Sequence, residues 1–311
     1  MARYLSRRLA LLVLVIFGVV TATFILVHAT PGDPARTYLG ERATPEAVAA
    51  LRRTWGLDQP LPQQYVEFFR QVFTGDLGNS LFFHAENVQL IGSRLPVTLL
   101  LMLMATLFAV VISLPLATWI AVRGRGGADL SVRAFNAVIQ GTPTFLVGSL
   151  FIVFFGVQLH WFPVGGYGTT FPEHLQALVL PALAVALGIV PLLVNSLRAS
   201  LSDALQGEYV AFARSKGLRS STVLGAYAIR NGSISGITIL GIQAGNLAGG
   251  ALVIENVFAL PGMGTMMMTG ILNRDFPVVQ SVTLVFAAIV VLVYLVTDLA
   301  YALLDPRAKL A

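Results

Sequence analysis

The sequence predicts an all-α integral membrane protein with six membrane-spanning helices and a small helical insertion between the first two, outside the membrane. The composition supports this fold class. Hydrophobic residues make up 56% of the 311 residues and charged residues only 11%, whereas about 25% of the residues in an ordinary soluble domain are charged. A chain with so few charges is poorly suited to water on all sides, so the bilayer is its expected solvent.

Six apolar segments are long enough to cross a bilayer, which requires about 20 mostly apolar residues in a helix. Arg7 and Arg8 precede the first segment, and Val27-His28-Ala29 loosely resembles a signal-peptide cleavage site. We expect an uncleaved anchor instead, because the apolar run exceeds the roughly 7–15 residues of a signal-peptide core. The predicted spans are Leu9–Val27, Val97–Ala121, Ala134–Val157, Ala177–Leu197, Ile234–Ile254 and Ser281–Leu304.

The loops between these spans alternate in charge, and this alternation predicts the orientation of the chain. If the N-terminus is cytoplasmic, thirteen of the 20 Lys and Arg residues but only four of the 15 acids lie inside. Seven basic and ten acidic residues then lie outside, and Asp298 remains within the last span. Because cytoplasmic loops carry the excess of Lys and Arg, we expect both termini in the cytoplasm.

The connection between the first two spans, residues 29–95, is too long for a turn and predicts a small external subdomain. Thr44-Pro45-Glu46 favours a helix start, because threonine caps helices and proline fits the first helical position. This helix is expected to end at Gly56. A second helix is predicted over Pro62–Phe73 and is expected to end at Gly75.

The sequence does not predict catalytic or metal-binding residues. The chain has no cysteine, its four histidines are scattered, and the P-loop pattern GxxxxGK[ST] does not occur. Gly262 and Gly264 lack the strand and helix of a dinucleotide-binding loop, so we expect a turn there.

Val164–Thr170 is similar to the filter of potassium channels, but no short pore helix precedes it, and an external turn is expected. Asp298 lies near the cytoplasmic end of its span, where water or a neighbouring helix is its expected partner.

The fifth predicted span carries a pattern of small residues. Gly241, Gly245 and Gly249 are spaced four apart, and small residues at this spacing let another membrane helix approach closely. Gln243 and Asn246 lie one turn apart on the same helix, and buried amides require hydrogen-bond partners or water. Two interpretations of this amide pair remain open: hydrogen bonds between helices, or a position on the path of a transported solute.

The loop between the fourth and fifth spans is basic, and its periodicity predicts an amphipathic helix within Ala204–Lys216. Gly217 can end this helix, and Ser220 or Ser221 can cap the next one. The apolar face of the first helix is expected to consist of Leu205, Tyr209, Phe212 and Ala213.

Three functions fit such a segment. It could lie on anionic lipid as a basic surface helix, or dock in a groove of a cytoplasmic protein. Binding to DNA as a helix-turn-helix is the least favoured, because the basic residues are few and the segment is tethered to the membrane.

The same segment contains a family signature. Tyr209-Val210, Ala213-Arg214 and Lys216-Gly217-Leu218, followed by Arg230-Asn231, resemble the EAA-type signature of ABC importer permeases in its peptide-permease form. Further motifs, in the order expected, extend the resemblance over nearly the whole chain to the first permease subunit of bacterial dipeptide and oligopeptide importers. These motifs are Ala29–Pro34, Gly56–Pro60, Gly75–Gly78, Arg94–Leu99, Val257–Gly264 and Leu303–Arg307.

This resemblance implies the type I ABC importer permease fold and a subunit without enzymatic activity. It implies four kinds of partner: a second permease subunit, two cytoplasmic ATPase subunits or one fused ATPase, an extracytoplasmic substrate-binding protein, and the lipid bilayer. ATP and Mg would bind to the ATPases, and we expect no cofactor and no nucleic acid on this chain. Docking on the ATPase is implied for Glu208, Tyr209, Ala213, Arg214, Lys216, Gly217 and Leu218.

The resemblance also implies a domain organisation and a substrate class. Residues 1–28 would hold the N-terminal tail and first span, residues 29–95 the external subdomain, residues 96–304 the permease core with a coupling segment at about 201–232, and residues 305–311 a cytoplasmic tail. The protein would be multi-pass in a bacterial inner membrane and import di- or oligopeptides.

The alternative substrates on the same scaffold are nickel chelates, glutathione, haem or opines. The alternative function of another class is an ion channel. Two positions depart from the family pattern: Phe212 stands where threonine is usual, and Ser235 where proline is frequent.

Overall fold

The structure is a computed structural model that describes residues 2–29, 33–40, 43–124 and 126–304. Within these ranges the chain is helical, and the only β-type pairing is an isolated bridge between Asn79 and Glu86. The predicted tail 305–311 lies outside the described residues, as do parts of two family motifs, at residues 30–32 and 305–307.

The helices follow one another with short connections, and two of them continue into π-helical turns. α7 continues as Ile152–Gln158, and α10 continues as Val223–Ile229 into α11. The bounds are α1 Ala2–Ala29, α2 Pro34–Leu39, α3 Pro45–Thr54, α4 Leu61–Thr74, α5 Asn87–Arg123, α6 Gly127–Gly141, α7 Thr144–Phe151, α8 Phe171–Gln206, α9 Glu208–Ser215, α10 Ser220–Thr222, α11 Arg230–Ile242, α12 Ala244–Val257, α13 Met263–Leu272 and α14 Phe276–Leu304.

Three of the predicted spans are single helices that are long and apolar enough to cross a membrane. They are α5, α8 and α14, which contain the second, fourth and sixth predicted spans. The first predicted span lies on α1, in which an apolar stretch covers Val13–Ile25. The helix boundaries extend beyond the predicted ones because polar turns continue the helices outside the apolar runs.

The other two predicted spans are each divided into two helices that meet at an angle. Asp129–Gly141 and Thr144–Gln158 meet at 100°. Pro143 has no N–H to continue the helix, and Thr142 before it is extended, as a residue preceding proline prefers to be. Ser220–Ile242 and Gly245–Val257 meet at 56°, with Gln243 between α11 and α12.

The chain divides into two compact units, of which the first comprises residues 1–96 and 262–291. It contains both predicted external helices. The Thr44 side chain caps α3 by accepting a hydrogen bond from the Ala47 N–H at 3.3 Å. α4 ends at Gly75 in the left-handed conformation. The core of this first unit is a cluster of buried apolar side chains from α5, α13 and α14: Ile91, Met263, Met266, Val278 and Val282.

A polar cluster fixes residues 77–87 to the start of α14 in this unit. Asp275 is fully buried and accepts hydrogen bonds from the Ser80 hydroxyl at 2.6 Å and the Phe82 N–H at 2.9 Å. Asn87 donates to the Leu77 carbonyl oxygen at 2.8 Å and to the Ser281 hydroxyl at 3.2 Å. Residues 77–87 are therefore held by specific hydrogen bonds as well as by apolar contact.

The second unit comprises residues 97–261 and 292–311, and α8 lies at its centre. In α8, 72% of the most apolar stretch is buried, compared with 39% in α5 and 33% in α14. Two glycines of α11 let it approach α8 closely. A Cβ at Gly232 would lie 2.7 Å from Leu201 Cδ2, and one at Gly236 would lie 2.7 Å from Leu197 Cδ2. This close packing is the form that small residues permit in membrane helices.

Candidate docking segment and open helix face

The basic segment after α8 folds as a separate short helix, α9, rather than as the continuous helix predicted over Ala204–Lys216. Gly207 interrupts the helix with an extended backbone (φ −66°, ψ 146°). The ring of Tyr209 lies against this glycine, so that a Cβ at position 207 would be 2.6 Å from Tyr209 Cε1. The break therefore gives α9 a direction of its own and leaves room for the tyrosine ring.

The apolar face of α9 differs from the predicted one. Val210 and Ala213 are buried and pack with Val223, with Tyr227 at the edge of this cluster. Phe212 is 61% exposed and Tyr209 is 41% exposed. The periodicity alone suggested that Tyr209, Phe212 and Ala213 share one face. The break at Gly207 leaves Leu205 on α8 and lets α9 turn independently of α8. In this orientation Val210 and Ala213 face inward, whereas Tyr209 and Phe212 are exposed.

Gly217 ends the helical turn after α9, as predicted. Its φ of +74° lies in the left-handed region, which is costly for residues with a side chain. The Gly217 N–H donates to the Arg214 carbonyl oxygen at 2.9 Å, and the Leu218 N–H donates to the Ala213 carbonyl oxygen at 3.3 Å. A Cβ at Gly217 would meet nothing within 4 Å, so the requirement for glycine is conformational and not steric.

The outer surface of α9 and of the following turn combines aromatic and basic side chains. The Lys216 ammonium lies 4.5 Å from the centre of the Phe212 ring, a distance at which a cation is attracted to an aromatic face. Glu208, Arg214 and Arg219 are exposed beside them. The surface thus presents an apolar aromatic side chain beside three basic side chains and one acidic one.

The predicted glycine pattern divides between two environments. Gly241 packs against α14, because a Cβ there would lie 2.6 Å from Thr297 Cγ2. Gly245 and Gly249 are exposed, and a Cβ at either would meet nothing within 4 Å. Of the three glycines predicted to pack helices, Gly241 alone contacts another helix among the residues that the structure describes.

Gln243 and Asn246 bond to one another at the bend between α11 and α12. The Asn246 amide donates to the Gln243 side-chain oxygen at 2.9 Å. Gln243 is buried and Asn246 is exposed. Asn246 therefore lies on the same open face of α12 as the two exposed glycines. We call this surface the open α12 face; it consists of Gly245, Asn246, Gly249, Val253 and Asn256, all exposed.

Glu255 is a buried acid that sequence reasoning missed. It was counted among the external acids, but it lies within α12 and is fully buried. The Thr98 hydroxyl of α5, also fully buried, donates to its carboxylate at 2.6 Å. The signal available in the sequence was its position directly after the apolar run of the fifth span, where a helix can continue without a break.

The Val164–Thr170 loop is rich in turns, as predicted, and does not have the form of an ion filter. Gly166 and Gly168 adopt φ values of +87° and +74°. The Gly166 N–H donates to the Phe258 carbonyl oxygen at 3.0 Å, so the loop folds onto its own chain. The Tyr167 ring stacks on His174 with centroids 4.0 Å apart, and burial raises the pKa of this tyrosine.

Comparison with known proteins identifies two family models along the chain. The model described as the binding-protein-dependent transport system inner membrane component matches residues 112–310. The model of the N-terminal part of such membrane components matches residues 1–102. Together they include α3 and α4, the open α12 face, and α9 with the turn to Arg219, which we call the docking segment.

Full-length relatives and a solved structure agree with these matches. A putative peptide permease protein of Brucella ovis is 37% identical, with 99% of each chain covered. A dipeptide transport system permease protein of Lactococcus lactis is 32% identical over the whole of both chains. The methionine ABC transporter MetNI in an inward-facing conformation has the same fold, with a TM-score of 0.58 at 17% identity over 70% of this chain and 97% of that one. The predicted type I ABC importer permease fold is therefore confirmed.

Proposed function

Because the chain belongs to the family of binding-protein-dependent transport system inner membrane components, we propose that it is the permease subunit of an ATP-driven importer of di- or oligopeptides. The subunit does not hydrolyse ATP. Two cytoplasmic ATPase subunits or one fused ATPase supply the energy, a substrate-binding protein delivers the peptide, and a second permease subunit completes the pathway. The names of the Brucella and Lactococcus relatives support the peptide substrate.

The observation that carries this proposal is the shape of α9. It is a short helix with one face anchored on Val223 and the other presenting Phe212, and a glycine that requires a left-handed backbone fixes the turn after it. In the family that this chain belongs to, the corresponding segment docks in a groove of the ATPase. An exposed aromatic side chain on a firmly held helix suits docking in a groove.

The charge distribution supports the side of the membrane on which docking takes place. The chain around α9 has few acids and several basic residues, which favours the cytoplasm. The external helices α3 and α4 then lie on the opposite side, where they are available to the substrate-binding protein. Both termini are cytoplasmic in this arrangement, in a bacterial inner membrane.

The open α12 face supports the position of the transport path. In lipid, exposed amides are costly unless they meet a partner or water, and Asn246 is exposed beside Gly245 and Gly249. We propose that Gln243 and Asn246 line the path of the peptide and that the open glycines let the second permease subunit approach closely. A backbone with no side chain above it can approach a partner or a solute to contact distance.

The test of this proposal is uptake of labelled di- and tripeptides into proteoliposomes that contain the permease, its second subunit, the ATPases and the binding protein. We expect uptake that requires ATP. Uptake of nickel chelates, glutathione, haem or opines in place of peptides would contradict the substrate. Conduction of potassium without ATP would contradict the whole proposal and favour a channel.

Gly217→Val tests the role of the docking segment in the same assay. A β-branched residue at φ +74° costs about 1–3 kcal/mol of backbone strain, so we expect the turn to rearrange and uptake to fall by about tenfold or more, while membrane insertion is unchanged. Gly225→Val is the matched control, because Gly225 also has open space around it but no positive φ. Full uptake by the Gly217 variant would contradict docking through this segment.

A further inference from the structure

A buried ion-pair cluster joins α6 to the C-terminal part of α8. Its residues belong neither to the family signature nor to the docking segment. Asp129 of α6 is 5% exposed. The Arg198 guanidinium of α8 lies 3.1 Å from Asp129 Oδ1 through Nε and donates from Nη2 to Oδ2 at 3.3 Å. Arg133, one turn further along α6, lies 2.9 Å from the same Oδ2. We call these three residues the Asp129 cluster.

A second polar contact joins α6 to α8 across the seam between these two helices. One helical repeat from Asp129, the buried Asn136 donates to Asn195 of α8 at 3.4 Å. The apolar side chains Leu130, Phe135 and Val138 of α6 point away and are 50–70% exposed. Ionic and amide contacts therefore contribute to the attachment of α6 to α8.

The two arginines of the Asp129 cluster have different consequences if the helices separate. Arg198 is on the opposing helix and would leave with α8, whereas Arg133 is on α6 and would stay with Asp129. A buried charge that loses its only partner is strongly disfavoured, but one that keeps a second partner is not. Arg133 thus keeps the Asp129 carboxylate neutralised in a separated state and lowers the cost of opening the seam.

Not every buried polar atom between α6 and α8 has a hydrogen-bond partner among the described residues. Asn136 Oδ1 is buried and has no hydrogen-bond partner among the described residues. An unpaired buried acceptor destabilises the conformation that contains it. The closed seam therefore combines the Arg198–Asp129 ion pair and the Asn136–Asn195 hydrogen bond with a buried acceptor that has no partner among the described residues.

Arg198 lies about two helical turns before the end of α8, which is separated from α9 by Gly207 alone. From Arg198, α8 continues to Gln206 without an internal proline, and α9 follows after Gly207. A displacement of α9 would reach Arg198 through this rigid helical stretch. From α6, the chain passes through the bend before α7 into the rest of the broken span.

We propose that the Arg198–Asp129 ion pair is a reversible link that positions α6 against the docking end of α8. It is closed in the conformation described here and opens during the transport cycle, with Arg133 neutralising Asp129 while it is open. The link between this opening and ATP rests on the proposed function. The proposed opening of the seam and the opposite roles of the two arginines concern contacts within this chain, so they can be tested on the isolated chain.

The test uses spin labels on two introduced cysteines, Leu130→Cys in α6 and Ala199→Cys in α8. Both positions are exposed, and the chain has no cysteine of its own. Distances between the labels are measured by pulsed electron paramagnetic resonance in lipid nanodiscs. In the isolated chain we expect Arg198→Gln to raise the population of a longer distance by at least tenfold, whereas Arg133→Gln keeps the shorter distance. Arg198→Lys, which restores a cation, should resemble the wild type.

The assembled complex supplies the second arm of the test. With ATP bound and hydrolysis arrested, we expect the wild type to shift to the longer distance and Arg133→Gln to remain at the shorter one. The same distances in Arg133→Gln and Arg198→Gln, or a single unchanged distance in every sample, would overturn the proposal. Absence of peptide uptake by the wild type would contradict the proposed function instead, because the measurements on the isolated chain do not depend on it.

Discussion

Single residues determine the turn after α9 and the contact between α5 and α12. Gly217 allows a backbone conformation that ends the turn after α9, and its role follows from its own φ. Glu255 depends on a partner far away in sequence, because Thr98 holds its buried carboxylate at 2.6 Å. The first kind of residue is a local constraint, and the second fixes two membrane helices to one another.

Thr98→Val tests the contribution of the bond to Glu255. Valine has nearly the same shape as threonine but cannot donate, so the buried carboxylate loses a hydrogen bond. We expect the free energy of unfolding to fall by about 1–3 kcal/mol, measured by thermal unfolding in detergent. Thr106→Val is the matched control in α5, because the Thr106 hydroxyl bonds only to its own helix at Met102. An equal loss in both variants would contradict a specific role for Thr98.

The difference between these residues explains which parts of the site could be predicted. Gly217, and the helix caps at Thr44 and Gly75, depend on neighbours in sequence, and the structure confirms them. Glu255 and Asp129 depend on partners 157 and 69 residues away. A single sequence contains no local pattern for such pairs, so both were treated as ordinary loop acids.

At the scale of the helix, breaks in continuity changed the predicted arrangement most. Gly207 separates α9 from α8 and redirects the side chains that periodicity had placed on one face. Pro143 and Gln243 interrupt two predicted spans. Hydropathy reports the average polarity of a segment and not its direction, so it identified the spans but not their bends.

Gly241 of α11 packs against another helix, whereas Gly249 of α12 is open. We therefore expect a leucine at these two positions to have different effects. Gly241→Leu should destabilise the isolated chain, because its side chain would collide with Thr297. Gly249→Leu should leave the isolated chain stable, since the position is open, but weaken its association with the second permease subunit by about tenfold or more, because a leucine prevents close helix approach. Thermal unfolding of the chain and size-exclusion chromatography of the complex measure the two effects. Normal assembly of the Gly249 variant would contradict a partner at this face.

At the scale of the whole molecule, composition and charge predicted the fold class, and the relatives confirm the family. Low charge and six apolar runs indicate a membrane protein, and the order of the motifs indicates the family that the relatives confirm. The charge asymmetry also predicts an orientation, which depends on the membrane and not on contacts within the chain. It therefore remains a prediction.

Labelling of introduced cysteines tests this orientation, because the chain has none of its own. Glu46→Cys in α3 and Ser215→Cys in α9 are both exposed positions. We expect a membrane-impermeant maleimide to label Glu46→Cys in spheroplasts and Ser215→Cys only after the membrane is permeabilised. The reverse pattern would place the docking segment outside the cell and contradict its contact with an ATPase.

The most direct measurement of the central claim is photo-cross-linking from α9 in the assembled transporter. Phe212 is replaced by a benzophenone amino acid, and the same replacement at Trp161 is the control, because the two side chains are 61% and 60% exposed. We predict that position 212 cross-links to the ATPase subunit and that position 161 does not. Cross-links from position 212 to lipid alone would show that α9 lies on the membrane surface and would contradict the account.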